Sequence, residues 1–326
     1  MRRREFIAAL GGAAVWPLAA RAQQPTKIHR IGILTIDSPR DPANSPTFRL
    51  VPALARLGYV EGRNLEILWR GAAGDVSKLP PLAHELVSAG VELIVAVGNS
   101  SIRAAKETTS RIPIVMGYAG DDPVAAGLAA SLAKPGGNVT GVSFFGGETD
   151  AKRFELLAEA FGQLKHLGQL TPLGFENDRL RLVEQVARAV DVELTFIKTS
   201  NDSDYDKAFA DARRTGVRAL AIATYPIYNR DRADLAKRAL AAGLPTICAV
   251  REMAEAGCLM SYGQNNDVLY GRVADYVMRI LNGANPAELP IEQTTRFELV
   301  INLKTAKALG ITMPTSILLR ADEVIE

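Results

Sequence analysis

The sequence predicts an α/β protein made of two doubly wound lobes. Short runs rich in β-branched residues alternate with amphipathic helical stretches along the chain, and this alternation is typical of parallel sheets. The chain has 326 residues, which at roughly 100–200 residues per domain allows about two domains. More strand–helix units follow one another than one compact sheet holds, so two separate sheets are the natural arrangement.

The elements of the first lobe follow from apolar patterning and from glycine and proline stops. Gly58 and Gly90 end two amphipathic helices. The run 91–97 is almost wholly apolar, as expected for a parallel strand that is buried on both faces. Strands are predicted at 29–35, 64–69, 91–97, 112–116 and 139–144, and helices at 47–57, 79–89, 101–109 and 123–132.

The same pattern repeats after Gly146-Gly147, where the second lobe begins. Pro172 interrupts the first strand of this lobe and makes it the weakest one. Strands are predicted at 168–175, 193–198, 219–224, 245–250, 259–262 and 297–302, and helices at 151–161, 179–189, 205–214, 231–242, 267–282 and 303–309. Ligands of doubly wound sheets bind beyond the carboxyl ends of the strands. Two facing lobes therefore form a cleft that can close on a small molecule.

Residues 1–22 have the features of a secretory signal peptide. A basic start precedes the apolar run 7–18, and the small-x-small triplet Ala20-Arg21-Ala22 follows it. The string Arg3-Arg4-Glu5-Phe6-Ile7 resembles the twin-arginine export signal. The alternative is a membrane anchor, but the run is shorter than the ~20 residues of a membrane span. We expect export to the periplasm, cleavage after Ala22 and a soluble mature protein.

Composition excludes several function classes. Hydrophobic residues make up 48% of the chain and charged residues 23%, which is ordinary for a soluble domain. Of the 38 basic and 36 acidic residues, four arginines and one glutamate lie in the leader, so the rest of the chain is close to neutral. With only 6% aromatic residues, it also lacks a base-stacking platform. We therefore expect no nucleic-acid partner.

The sequence lacks the usual motifs of catalysis and cofactor binding. It contains no phosphate-binding P-loop and no glycine-rich dinucleotide turn after the first strand. Phe145 stands where a nucleophile elbow around Ser143 would need glycine. The three histidines, His29, His84 and His166, lie away from the strand carboxyl ends. We expect no enzyme activity, no cofactor and no metal site, although an enzyme that uses only Asp, Glu or Lys stays open.

Cys248 and Cys258 leave two interpretations open. An oxidising compartment permits a disulfide between them. Alternatively, both are half-buried thiols, one inside a strand and one at the start of a strand. Without a nearby histidine, the two cysteines do not form a metal site.

Polar loops at the carboxyl ends of the strands are the candidate binding residues. Asn99, Ser100 and Ser101 open a helix whose first N–H groups suit an anion such as a carboxylate. The alternative is plain capping of that helix by Asn99 or Ser100, and both roles can hold together. Asp121 and Asp122 also precede a predicted helix. One of them is expected to cap it and the other to meet a ligand ammonium.

The remaining candidates lie at other strand ends. In the second lobe, Tyr225 and Tyr228 are expected to form cleft walls, unless one of them only packs against the next helix. Arg251 and Glu252 follow the strand 245–250, and this charge pair either lines the cleft or is solvated at a helix start. In the first lobe, the other candidate binding residues at strand ends are Thr35, Asp37, Ser143 and Phe144.

A series of motifs resembles one known family. These are the leader RRREFI…WPLAARAQQ, GYVEGRN (58–64), DPVAAG (122–127), KPGGNVTGVS (134–143), LMSYG (259–263) and FELVINLKTAKALG (297–310). In this order they are similar to the ABC-transporter substrate-binding proteins that include the tryptophan- and tyrosine-binding TrpX-type receptors. The likeness extends to the tail Ala321-Asp322-Glu323, and the segment 166–178 departs from it.

The resemblance implies a type I periplasmic-binding-protein fold, with two Rossmann-like lobes joined by a three-segment hinge. The implied crossovers lie near 143–147, 259–263 and 294–297, with Tyr262 near the hinge. Lobe 1 comprises residues 23–145 and 262–295, and lobe 2 comprises residues 146–261 and 296–326. The resemblance also implies a monomer without a cofactor that serves an inner-membrane ABC permease.

We therefore expect the solute-binding component of an ABC importer. Its ligand is expected to be a small carboxylated solute, an aromatic or branched-chain amino acid or a related carboxylate, held in the cleft between the lobes. Two alternatives stay open: an extracytoplasmic ligand-sensing protein and an exported α/β enzyme.

Overall fold

The computed structural model describes residues 27–37, 45–144, 146–162, 164–173, 177–200, 204–294 and 296–326. The predicted signal peptide and its cleavage point after Ala22 lie outside these residues. The described residues form two sheets of mostly parallel strands covered by helices. The predicted fold class is confirmed.

The first sheet has six strands. They are β1 (His29–Thr35), β2 (Leu65–Gly71), β3 (Leu93–Val97), β4 (Ile114–Ala119), β5 (Val139–Ser143) and β11 (Glu292–Gln293). Their order is β11-β5-β4-β3-β1-β2, and every pairing is parallel. All residues of β3 and β4 are buried, in agreement with the apolar pattern of these runs.

The second sheet has seven strands. They are β6 (His166–Pro172), β7 (Glu193–Thr199), β8 (Leu220–Ile222), β9 (Thr246–Cys248), β10 (Met260–Gln264), β12 (Phe297–Asn302) and β13 (Glu323–Ile325). Their order is β13-β12-β10-β9-β8-β6-β7, and β12 runs antiparallel to β10. The series β7-β6-β8-β9-β10 repeats the winding of β2-β1-β3-β4-β5 in the first sheet.

Helices cover both sheets. They are α1 (Leu50–Arg56), α2 (Leu79–Ser88), α3 (Asn99–Thr108), α4 (Gly146–Ala160), α5 (Asn177–Ala189), α6 (Tyr205–Arg214), α7 (Pro226–Arg230), α8 (Arg232–Ala241), α9 (Arg251–Glu255), α10 (Asn266–Leu281), α11 (Leu303–Leu309) and α12 (Thr315–Leu318). Short 3-10 turns at Pro46–Arg49 and Val76–Lys78 lead into α1 and α2. Among the described residues, no helix has the length and apolar character needed to cross a membrane.

The chain passes three times between the two sheets: from β5 to α4, from β10 to α10, and from β11 to β12. Helix α10 packs on β4 and β5, and α4 packs on β8, β9 and β10. We call the elements around the first sheet, including α10, the first lobe, and those around the second sheet the second lobe. Tyr262 lies inside β10, where it pairs with Leu299, so the second crossing follows Gln264.

The helix predicted at 123–132 and the strand predicted at 168–175 differ most from the structure. The predicted helix is wrong. A single turn, in which the Leu128 N–H donates to the Pro123 carbonyl (2.8 Å), ends at Gly127, which has a φ of +69°. The predicted weak strand is the regular strand β6 (His166–Pro172), because Pro172 is its last residue and does not interrupt the ladder.

Cys248 and Cys258 form a disulfide, and their Cα atoms are 6.8 Å apart. Both side chains are completely buried, so the interpretation as half-buried thiols is wrong. The bond joins the end of β9 to the residue after α9 and its turn, and thus encloses α9 in a short loop.

Candidate ligand-binding cleft

A cavity of about 240 Å³ lies between the two lobes. The first lobe lines it with the ends of β1, β3 and β4 and with the adjoining faces of α2 and α3. The second lobe contributes Thr224 and Tyr225, which follow β8. The cavity therefore lies where the carboxyl ends of the strands meet, as the doubly wound architecture predicts.

The N-terminus of α3 forms a polar wall of the cavity. Gly98 is the N-cap with a φ of +83°, and its N–H donates to the Gly117 carbonyl (3.0 Å). Glycine adopts this backbone conformation at little cost. Neither Asn99 nor Ser100 caps the helix, so that interpretation is wrong. Both residues line the cavity together with Ser101.

Ser101 is the most informative residue of this wall. Its side chain is completely buried, and its Oγ has no hydrogen-bond partner among the residues that the structure describes. Buried hydroxyls are nearly always paired, because burying one without a partner is costly. Since the first N–H groups of a helix also lack partners within it, the α3 terminus presents several donors to the cavity.

Asn99 joins this wall to the loop after β4. Its Oδ1 accepts hydrogen bonds from the N–H groups of Gly120 (3.1 Å) and Asp121 (3.4 Å). Asp122 uses its carboxylate to cap the following turn, accepting from Val124 N–H at 2.8 Å. Asp121 lines the cavity, whereas Asp122 does not. Asp122 therefore has the capping role that the sequence predicted for one member of the pair, and contact of Asp121 with a ligand ammonium stays a prediction.

Three aromatic side chains line the cavity. Tyr118 and Phe144 of the first lobe meet edge to face with ring centroids 5.3 Å apart. Tyr225 reaches in from the second lobe, and its ring lies 5.8 Å from that of Tyr228. Burial, followed by the nearby Asp37 carboxylate, raises the pKa of the Tyr225 hydroxyl to about 12. Tyr225 is therefore neutral at physiological pH and serves as a flat wall with one polar tip.

An apolar wall completes the cavity. Its side chains come from the end of β1, the turn before α2, the start of α2 and the end of β3: Ile36, Val76, Leu79, Pro80 and Val97. Leu79 is completely buried, while Val76 is 41% exposed. An apolar stripe beside a polar terminus suits a ligand that has one charged end and one apolar end.

Three predicted first-lobe residues lie at the strand ends but outside this lining. The Thr35 hydroxyl accepts the Asp37 N–H (3.1 Å). The Asp37 carboxylate is buried and lies 3.7 Å from Arg230 of the second lobe. Ser143 is buried, and no described residue is bonded to its Oγ.

Three predicted second-lobe residues are also placed away from the cavity. Tyr228 is 2% exposed and shares a hydrogen bond with Thr199 (2.7 Å), so it packs in the core behind Tyr225. Tyr262 packs on Phe297 with ring centroids 5.9 Å apart, and burial raises the pKa of its hydroxyl. The Arg251 guanidinium points to the carboxylates of Glu255, Glu298 and Glu323 because they surround it with negative charge.

A buried ion pair that contacts the cavity residue Thr224 was not identified from the sequence. Arg153 of α4 is 2% exposed and pairs with Asp150. Its guanidinium also donates to Thr224 Oγ1 (3.0 Å) and to the Tyr262 carbonyl (3.2 Å). Arg153 thereby ties the cavity residue Thr224 to β10 near the second crossing. The i, i+3 spacing of Asp150 and Arg153 could have indicated an ion pair on one helix face. The predicted helix 151–161 began after Asp150, so the pair was not identified.

Tyr118, Arg103 and Glu107 also line the cavity and were absent from the predicted binding residues. Tyr118 lies beyond the predicted end of its strand and has a φ of +60°, which is rare for a residue other than glycine. Arg103 and Glu107 share a face of α3 with Ser100, and this helical spacing could have identified them. The described residues contain no group of three or more His, Cys, Asp or Glu side chains that could hold a metal ion.

Comparison with known proteins gives a consistent result. Residues 49–325 match the sequence model of a family described as ABC transporter substrate binding protein. A tyrosine-binding protein of Clostridioides difficile (strain R20291) is 27% identical over 267 residues, which are 79% of this chain and 74% of that protein.

Two solved structures share the fold over nearly the whole chain. The ABC domain from Streptococcus pneumonia, crystallised with L-Trp, has a TM-score of 0.79 at 24% identity and covers 92% of this chain and 100% of its own. A conserved domain protein from Vibrio cholerae O1 biovar El Tor has a TM-score of 0.81 at 26% identity, and the match covers 91% of this chain and 100% of that protein's chain.

Proposed function

The chain belongs to the family of ABC transporter substrate-binding proteins, and we propose that it captures an amino acid between its lobes for an ABC importer. The observation that carries this proposal is the α3 terminus. A completely buried Ser101 hydroxyl without a described partner lies in the wall of a cavity that both lobes share.

The ligand carboxylate would lie on the α3 terminus. The first N–H groups of α3 and the hydroxyls of Ser100 and Ser101 are donors on one wall. The helix dipole adds a partial positive charge of about half a unit at this end. Such an arrangement stabilises a carboxylate without a full cationic partner.

The ligand ammonium would meet Asp121. Because Asp122 supplies the cap of the following turn, the Asp121 side chain remains on the cavity wall. Its backbone is held beside the α3 terminus by Asn99. A carboxylate next to an anion site favours a zwitterion over a simple carboxylate ion.

The ligand side chain would be apolar and flat. Tyr118, Phe144 and Tyr225 offer aromatic faces, and Leu79 and Pro80 offer aliphatic ones. Aromatic pairs add about 0.5–1.5 kcal/mol beyond their buried area. The similarity to a relative that is named for binding tyrosine supports an aromatic amino acid.

The cellular role follows from the family and from the leader. The protein would be exported by the signal in residues 1–22, act as a monomer in the periplasm, and present its closed lobes to an inner-membrane permease. Closure would bring Thr224 and Tyr225 of the second lobe over a solute that is held by the first lobe. The solute would be released unchanged.

A calorimetric panel tests the proposal. The purified protein is titrated with L-tyrosine, L-tryptophan, L-phenylalanine and L-leucine, and the Kd of each is measured. An amino acid that binds, when present at 100 times its Kd, should raise the free energy of unfolding by about 2.7 kcal/mol. Ser101→Ala removes a hydrogen bond to a charged group, which is worth about 1.5–3 kcal/mol, so Kd should rise at least about tenfold. Asp121→Asn should weaken binding similarly.

Two matched variants serve as controls. Ser110→Ala alters an exposed serine just beyond the far end of α3, and Asp122→Asn preserves an oxygen that can cap the turn. Both should bind like the wild type. If no amino acid of the panel binds, or if Ser101→Ala and Ser110→Ala behave alike, the assigned site is wrong.

A further inference from the structure

Among the residues that the structure describes, two pairs of opposite charges join the lobes, with the cation on the first lobe in one pair and on the second lobe in the other. Glu252 of the second lobe accepts a hydrogen bond from Arg49 of the first lobe, with Nη2 and Oε1 2.6 Å apart. Arg230 of the second lobe lies 3.7 Å from Asp37 of the first lobe, measured from Nη1 to Oδ1. Each lobe therefore supplies one cation and one anion, which makes the two faces complementary.

Glu252 is the more deeply buried member of the Arg49–Glu252 pair. It is only 8% exposed, and its second oxygen accepts from Asn266 Nδ2 of the first lobe (3.2 Å). A carboxylate that is withdrawn from water to this degree needs its partners, because removing them leaves a buried charge uncompensated. Both of these partners belong to the other lobe.

Arg49 is placed differently. Its side chain is 34% exposed, and it also donates to Asp267 within the first lobe at 2.6 Å. On separation of the lobes Arg49 would keep Asp267, whereas Glu252 would lose Arg49 and Asn266 and return to water. The contact would therefore form and break with movement of the second lobe.

Helix α9 carries Glu252 as a rigid part of the second lobe. Arg251, on the same short helix, binds Glu298 of β12 and Glu323 of β13. The Ala254 carbonyl accepts from Asn302 Nδ2 (2.8 Å), and the Cys248–Cys258 disulfide closes the loop around the helix. The position of Glu252 is thus fixed with respect to the second sheet.

We propose that Glu252 is a positioning residue for solute capture. Its carboxylate engages Arg49 and Asn266 in the closed arrangement, holds the Thr224–Tyr225 wall against the first lobe, and so sets the closed fraction before the solute arrives. This inference rests on the proposed function, in which the lobes open and close around a solute. It adds a residue that lies outside the lining of the cavity.

The test compares Glu252→Gln, Arg49→Gln and the double variant with the wild type. Small-angle X-ray scattering of the solute-free protein gives the radius of gyration, and stopped-flow binding of L-tyrosine gives the two rate constants. Glu159→Gln is the control, because Glu159 pairs with Arg320 at 2.6 Å entirely within the second lobe. Circular dichroism checks that every variant is folded.

Each single variant at the Arg49–Glu252 pair should lower the closed-to-open ratio about tenfold, which is less than for a fully buried pair because the Arg49 side chain is 34% exposed. The solute-free radius of gyration should increase, and the L-tyrosine dissociation rate should rise about tenfold with little change in the association rate. The double variant should resemble either single variant, since both remove the same contact. Glu159→Gln should match the wild type.

Superimposable scattering curves for the wild type and Glu252→Gln overturn the proposal. So does an equal expansion in Glu159→Gln, or a double variant whose effect is the sum of the two single effects. If Glu252→Gln does not fold, Arg49→Gln carries the test, because Arg49 is partly exposed and keeps Asp267. The scattering arm needs no ligand, so failure of every amino acid in the panel to bind contradicts the proposed function alone.

Discussion

Replacing both Cys248 and Cys258 by alanine is expected to lower the free energy of unfolding by roughly 2.7 kcal/mol. The bond joins residues that are 10 apart in the sequence. For a loop of this length, the loss of loop-closure entropy in the unfolded chain is about 9 cal/mol/K, which gives the stated value at 25 °C. With an unfolding entropy of about 2.1 cal/mol/K per residue over roughly 300 residues, Tm should fall by about 4 °C.

The assay is thermal and urea unfolding of the wild type and the double alanine variant, each with and without a thiol reductant. The wild type is unfolded and refolded in reductant, because the disulfide is completely buried in the folded protein. Reductant should destabilise the wild type and leave the variant unchanged. Equal midpoints for the oxidised and reduced wild type would refute the reasoning, since they would mean that no bond constrains the unfolded chain.

Two further predictions concern the hinge and the cleft wall. Gly263→Ala should lower the free energy of unfolding by about 3 kcal/mol or more, because a Cβ there would lie 1.8 Å from the Ala249 carbonyl oxygen. The measurement is urea unfolding, and the control is Gly271→Ala in α10, where a Cβ meets nothing within 4 Å. The control variant should be as stable as the wild type or more stable. Tyr225 has a folded-state pKa of about 12, above the ordinary value of about 10, so its contribution to stability is complete below pH 10 and is lost as the pH rises toward 12. Tyr225→Phe should therefore reduce the alkaline loss of stability and remove one phenolate from the absorbance titration at high pH, and an unchanged titration contradicts the assignment.

Much of the fold is predictable because local signals and tertiary packing agree. The predicted helix at 205–214 coincides with α6 and the predicted strand at 297–302 with β12, since both have clear periodicity and clear ends. The predicted helix at 123–132 is wrong because Gly127, which has a left-handed φ, ends the turn inside this alanine-rich segment. Short helices such as α7 and α9 span only five residues each, too few for a periodic pattern.

The candidate site is predictable only where it depends on strand ends. Ser101, Asp121 and Tyr225 follow buried strands directly, and all three line the cavity. Arg251 also follows a strand, but Glu298 and Glu323 attract its guanidinium, and their proximity results from sheet pairing between distant parts of the chain. The same holds for Asp37, whose carboxylate lies near Arg230 of the other lobe.

The three passages of the chain between the sheets have a consequence for dissection of the molecule. Each lobe is assembled from non-contiguous pieces, because α10 and β11 return to the first sheet before β12 rejoins the second. No single truncation point yields an intact half, and a protease that cleaves one linker leaves the halves tethered by the other two. Limited proteolysis should therefore produce a nicked species that still elutes at the size of the whole protein under native conditions.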